Sequence, residues 1–153
     1  MKPFDMKNVR RSLKGLFIVL LAFIACAAVS VATDAFCRVV GLFPQDGQAA
    51  ASWRYAIPLS YRMIYGTAAA AFVAFLAPEP RWRYVGITGV IGWLLCLAGW
   101  LATKGRGPEF GPAWYSLALT VSVPLATFAG GWICLRRRPE ARDPRTLIPK
   151  GTI

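Results

Sequence analysis

Residues 15–33 read GLFIVLLAFIACAAVSVAT and contain no charged side chain. An α-helix needs roughly 20 apolar residues to cross about 30 Å of hydrocarbon, and this stretch approaches that length. It ends just before Asp34 and follows five basic residues, Lys2, Lys7, Arg10, Arg11 and Lys14. The pattern predicts a first transmembrane helix, with a cleaved secretory signal peptide as the alternative interpretation.

Three further apolar stretches follow, separated by short segments rich in proline, glycine and arginine. The hydrophobic fraction of 56% exceeds the roughly 45–50% of soluble globular domains. We therefore predict an all-α fold, an antiparallel bundle of four transmembrane helices with spans at about 15–37, 58–77, 84–103 and 113–135. Residues 1–14 form a basic N-terminal segment, and residues 136–153 form a basic tail predicted to be disordered.

The basic residues flank the predicted spans, so the net charge of +11 favours a lipid bilayer over nucleic acid as the partner. Lys and Arg are retained on the cytoplasmic side of a membrane during insertion. With both termini inside, thirteen of the 18 Lys and Arg residues lie on the inner side and five on the outer side. The sequence therefore predicts that both termini are cytoplasmic.

Few residues suit catalysis or metal binding. The chain has no histidine, and its four cysteines form no CxxC pair, which disfavours imidazole-ligated haem, common zinc sites and Ser-His-Asp chemistry. No metal or cofactor is expected. An enzyme would depend on Asp34 or Glu109 as acid or base, and neither has an evident partner in the sequence.

Small residues recur at helical spacing in every span. In membranes such residues let helix backbones approach closely, so we predict helix-packing roles for them; a substrate path or a docking face for another membrane protein is the alternative. Helix one carries Ala22, Ala25, Ala28 and Ala32. The other predicted packing residues are Gly66, Ala70, Ala74, Gly89, Gly92, Cys96, Gly99, Thr120 and Gly130.

Asp34 and Arg62 are the charged residues closest to the interior of a span. At 1.5 Å per residue, Asp34 lies about 30 Å along the helix from Lys14, and Arg62 about 26 Å from Glu79. Both therefore reach the outer interface and are predicted to pair. The full candidate cluster on this face is Asp34, Arg62, Tyr61, Tyr65, Arg106, Glu109, Trp114 and Tyr115. It is either a structural ion pair with its surroundings or a ligand site.

Several motifs resemble an uncharacterised family of small bacterial four-helix membrane proteins. They are Thr33-Asp34-Ala35, Gly41-Leu42-Phe43-Pro44, Tyr61-Arg62-x-x-Tyr65-Gly66, Leu76-Ala77-Pro78 and the segment from Arg106 to Tyr115. The resemblance covers roughly residues 13–135 and implies a bacterial inner membrane and four helices, without an established activity.

Two functions remain open from the sequence. The first is a structural or accessory bundle that associates with other membrane components, either another membrane protein or a second copy of the chain. The second is a small carrier, or a protein that binds a lipid or small molecule, using the cluster around Asp34 and Arg62.

Overall fold

The structure, a computed structural model of the chain, describes residues 6–43, 51–106 and 111–136. These residues form four α-helices and one short 3-10 turn, and they contain no strand. The helices are α1 (Met6–Val39), α2 (Ala56–Leu76), α3 (Arg81–Thr103) and α4 (Ala113–Arg136), and the 3-10 turn Ser52–Tyr55 precedes α2. All four are long and apolar enough to cross a membrane. The predicted all-α class and four candidate spans are confirmed over this part of the chain.

The main difference in helix bounds lies at the start of α1, which begins at Met6 instead of near Gly15. Lys and Arg are good helix formers, and neither proline nor glycine interrupts residues 6–14, so the basic segment continues the helix. Residues 6–14 are all exposed, as expected of turns that extend beyond the bundle. The first five residues and the basic tail from residue 137 lie outside the described residues.

The helices do not share their contacts equally. α4 packs most extensively on α2 and next on α3, whereas α1 lies mainly against α2 and touches α3 less. Within the described ranges, α1 and α4 have no extensive interface of their own. The structure is therefore a three-helix core of α2, α3 and α4 with α1 on its side.

The α2–α4 interface depends on Gly130. A methyl group at this position would overlap the carbonyl oxygen of Thr67 and lie 2.9 Å from Cβ of Ala70 and 3.0 Å from the backbone nitrogen of Ala71. The backbones of the two helices therefore meet directly, as small residues permit inside membranes. Ala70 and Ala74, on the same side of α2, are fully buried.

Other predicted packing residues line the contacts of α4 with α2 and α3. A Cβ atom at Gly66 would lie 3.6 Å from Cβ of Ala126. Cβ atoms at Gly89 and Gly92 would lie 3.1 Å from Thr127 and 3.2 Å from Val123. At Gly89 and Gly92 an added Cβ atom would press on α4, whereas at Gly66 it would make an ordinary van der Waals contact.

Some of the small-residue positions lie outside the contacts. A Cβ atom at Gly99 would meet no atom within 4 Å, so this end of the α3 stripe faces open space. In α1 only Ala22 of the four stripe alanines is buried, and Ala25, Ala28 and Ala32 are exposed. Because α1 contacts the core along one narrow side, the spacing of small residues does not identify that side.

A hydrophobic cluster joins the first half of α1 to the end of α2 and the start of α3. Ile18, Val19 and Ala22 of α1 pack there against α2 and α3 residues that include Val73 and Val85. Gly15 lies directly under the ring of Tyr84, where a Cβ atom would overlap the ring carbons. We call this cluster the Gly15 cluster. It holds the first half of α1 against the core.

The outer faces of the helices are strongly apolar. Many large hydrophobic side chains are exposed, among them Phe17, Leu94, Val121 and Phe128. A monomeric soluble protein rarely exposes contiguous apolar area on this scale, whereas lipid tails solvate such side chains well. The distribution fits a protein surrounded by a bilayer.

Candidate functional site

The ion pair between Asp34 and Arg62 lies at the end of the bundle away from the Gly15 cluster. Asp34 is near the end of α1 and Arg62 near the start of α2. Nη2 of Arg62 donates to Oδ2 of Asp34 at 2.8 Å, and the side chains of Arg62 and Asp34 are only 30% and 28% exposed. The pair therefore lies in a partly dehydrated setting, where a charge without a partner would be costly.

Two tyrosine hydroxyls complete this pair. Tyr61 donates to Oδ1 of Asp34, and Nη1 of Arg62 donates to the hydroxyl oxygen of Tyr115. Both carboxylate oxygens and both terminal guanidinium nitrogens thus have partners. Since Asp34, Arg62 and Tyr115 belong to three helices, the four side chains, called here the polar network, connect α1 with α2 and α2 with α4.

A second contact between α1 and α2 lies beside the polar network. The hydroxyls of Thr33 and Tyr65 are 2.9 Å apart. Thr33 also donates to the carbonyl oxygen of Val29 at 2.8 Å, so Tyr65 is the donor to Thr33. The rings of Tyr61 and Tyr65 are in contact, with centroids 5.6 Å apart. Thr33 was not among the predicted site residues, because a threonine near a helix end is common and its sequence context gives no sign of a partner.

The 3-10 turn before α2 packs on the start of α4. Nε1 of Trp114 donates to Oγ of Ser52 at 2.8 Å, and the rings of Tyr55 and Tyr115 lie 5.5 Å apart. Gly111 adopts φ +84°, and a Cβ atom there would come 2.7 Å from the ring of Tyr55. Trp114 is thus adjacent to the polar network and hydrogen-bonded to the turn, outside the ion pair itself.

The remaining predicted cluster members are Arg106 and Glu109. Arg106 lies just after α3 and is exposed. Glu109 lies outside the described residues. The structure therefore brings together Asp34, Arg62, Tyr61, Tyr65 and Tyr115, with Trp114 next to them.

A cavity of 310 Å³ lies in the middle of the bundle, beside Arg62. All four helices contribute to its wall: Cys26 and Ser30 from α1, Arg62 from α2, Cys96 from α3, and Leu119 and Thr127 from α4. No residue pattern in the sequence predicts this cavity. Cys96, predicted as a packing residue, faces this space.

The cavity is only partly enclosed by the four helices, so water, a lipid chain or a ligand can occupy it. The cavity and the polar network together form the candidate functional site.

No group of three or more metal-ligating side chains occurs among residues 6–43, 51–106 and 111–136. The four cysteines are free thiols. Comparison of the chain with protein-family models, curated proteins and solved structures finds no match. The function is therefore inferred from the geometry of this site.

Proposed function

We propose that the chain is a multi-pass protein of the bacterial inner membrane, with four antiparallel spans and both termini in the cytoplasm. The excess of Lys and Arg in the tails and in the turn before α3 supports this orientation. The resemblance to small bacterial membrane proteins supports the compartment. Contacts of the end of α1 with the start of α2 support the antiparallel arrangement.

A reporter enzyme that is active only in the cytoplasm, fused after Ile153, tests the orientation. We expect activity from this fusion and from a fusion in the turn between α2 and α3, and none from a fusion between α3 and α4. Periplasmic exposure of the fusion after Ile153 would overturn the proposed topology.

Within the membrane, we propose that the chain is a structural or accessory helical bundle that associates with other membrane components. The observation that carries this proposal is the polar network: both carboxylate oxygens of Asp34 and both terminal nitrogens of Arg62 are bonded to groups of the same chain. A network of this kind serves to fix the positions of helices. Breaking a partly buried charge pair is costly, so the network holds α1 and α4 in defined registers on α2.

The apolar outer surface supplies the area for association. Leu94 of α3 and Val121 of α4 are 51% and 64% exposed, and both face away from the bundle. In a bilayer such surfaces pack against lipid or against helices of another membrane protein. The partner is a second copy of this chain or a larger complex.

Photo-cross-linking in native membranes tests the association. A photoreactive amino acid is placed at Leu94, at Val121 or, as the matched control, at Val73, which is fully buried. We expect the two surface positions to give discrete, stoichiometric adducts with one protein species, and the control to give none. If the surface positions yield only lipid adducts, the accessory function is wrong.

A second candidate function is the binding of a lipid or small molecule by a small carrier or binding protein. The cavity beside Arg62 favours it. Binding pockets typically measure about 300–1,000 Å³ and combine an apolar wall with a few polar groups, as this cavity does.

A further inference from the structure

The cavity presents one sign of charge. Of the two charged residues in the polar network, Arg62 lines the cavity and Asp34 does not. The described wall therefore contains a cation and no carboxylate. Its other polar groups are hydroxyls and thiols, from Ser30, Thr88, Thr127, Cys26 and Cys96.

The remainder of the wall is apolar and elongated. Along α2 the wall extends from Arg62 to Ala69, about 10 Å, and along α4 from Leu119 to Thr127, about 12 Å, at 1.5 Å per residue. A volume of 310 Å³ is near the lower limit of ligand pockets. It suits one alkyl chain with a small head and is too small for a phospholipid with two chains.

We propose that this cavity binds a single-chain anionic amphiphile, whose carboxylate or phosphate head contacts Arg62 and whose chain lies among the four helices towards Thr127. This inference rests on the second candidate function. A guanidinium has five N–H donors. Over the described residues, two of them are engaged by Asp34 and Tyr115, so others remain for an acidic head group.

The ligand reaches the cavity from the bilayer, between α1 and α3. Both helices line the cavity, yet α1 touches α3 much less than it touches α2. Moreover, α1 has no buried side chain from Phe23 to Phe36. A chain dissolved in the membrane therefore crosses this side of the bundle with the fewest packed contacts to displace.

Protection of Cys96 from alkylation tests the proposal. Cys96 lines the cavity, whereas Cys134 packs beside the Gly15 cluster and serves as the internal reference. The full-length protein is reconstituted in phosphatidylcholine vesicles and treated with a small membrane-permeant thiol reagent. Alkylation of each cysteine is followed by mass spectrometry with decanoate, decyl phosphate or decyltrimethylammonium present.

We expect decanoate at about ten times its Kd to slow alkylation of Cys96 about tenfold, because about nine molecules in ten are then occupied. Cys134 should react at an unchanged rate, and decyltrimethylammonium should not protect Cys96. A larger effect of decyl phosphate than of decanoate assigns the head as a phosphate, and the reverse order assigns it as a carboxylate. Equal protection by the cationic and anionic probes, or none by either anion, overturns the proposal.

The double variant Asp34→Asn with Arg62→Met provides a matched control, since it removes the cation without leaving a lone buried charge. We expect its protection of Cys96 by decanoate to fall to the level of the cationic probe. Undiminished protection in this variant contradicts a role for Arg62 in holding the head. If the variant fails to fold, the comparison of probes on the wild-type protein still decides the matter. None of these outcomes depends on the cross-linking test of the accessory function.

Discussion

Substitution of Gly130 by alanine should loosen the interface between α2 and α4. The added methyl group would overlap the carbonyl oxygen of Thr67 and lie 2.9 Å from Cβ of Ala70. Overpacking typically costs about 1–3 kcal/mol, and here the obstacle is backbone, which cannot rotate away. We therefore expect about 3 kcal/mol of steric cost, offset by about 1 kcal/mol from the better helix propensity of alanine. The net loss in free energy of unfolding is about 2 kcal/mol.

Gly86→Ala is the matched control, because a Cβ atom at Gly86 would meet no heavy atom within 4 Å. The free energies of unfolding of both variants and the wild type are measured by titrating the protein in mixed micelles with a denaturing detergent. Helix content by circular dichroism and tryptophan fluorescence report unfolding. We expect the control to match or slightly exceed the wild type in stability. A Gly130→Ala variant as stable as Gly86→Ala would refute the direct contact of the two backbones.

Three further predictions use the same unfolding assay. Asp34→Arg and Arg62→Asp should each lower the free energy of unfolding by about 1.5–3 kcal/mol, the usual value of a hydrogen bond to a charged group. The double exchange should recover part of this loss, because the hydroxyls of Tyr61 and Tyr115 can each donate or accept a hydrogen bond. If both single reversals leave stability unchanged, the ion pair is not a structural element. Tyr115→Phe should cost about 1.5–3 kcal/mol through the lost bond to Arg62; an unchanged value would rule this bond out. Gly111→Ala should cost more than Gly41→Ala, since both have positive φ but only Gly111 has an aromatic ring 2.7 Å from the added Cβ. Equal losses would show that backbone strain alone is responsible.

The helices and the ion pair could be predicted from the sequence for simple geometrical reasons. The lengths of the uncharged runs predict the spans, because the thickness of a bilayer sets the length of a crossing helix. The constant rise of a helix placed Asp34 and Arg62 at similar depth, and their side chains are in contact. Depth along a helix can therefore be predicted from one sequence.

Which helices pack side by side could not be predicted in the same way. Tyr115 shares a depth with Arg62, but their hydrogen bond requires that α4 packs beside α2, which depends on the close approach at Gly130. Ala25 and Ala28 are exposed for a similar reason. The side of α1 that faces the core is determined by the helices packed against it, and the sequence of α1 alone does not specify that side. The cavity arises from the spacing between whole helices, and no single residue indicates it.

The distribution of contacts along α1 gives this helix two anchors and a loose middle. The Gly15 cluster holds one end through apolar packing, and the polar network holds the other through charge and hydrogen bonds. Residues 23–32, between the two anchors, contain no buried side chain, so local separation of this stretch from the core breaks fewer packed contacts than separation at either anchor. Opening of the cavity to the bilayer at the centre of α1 would therefore require much less than global unfolding.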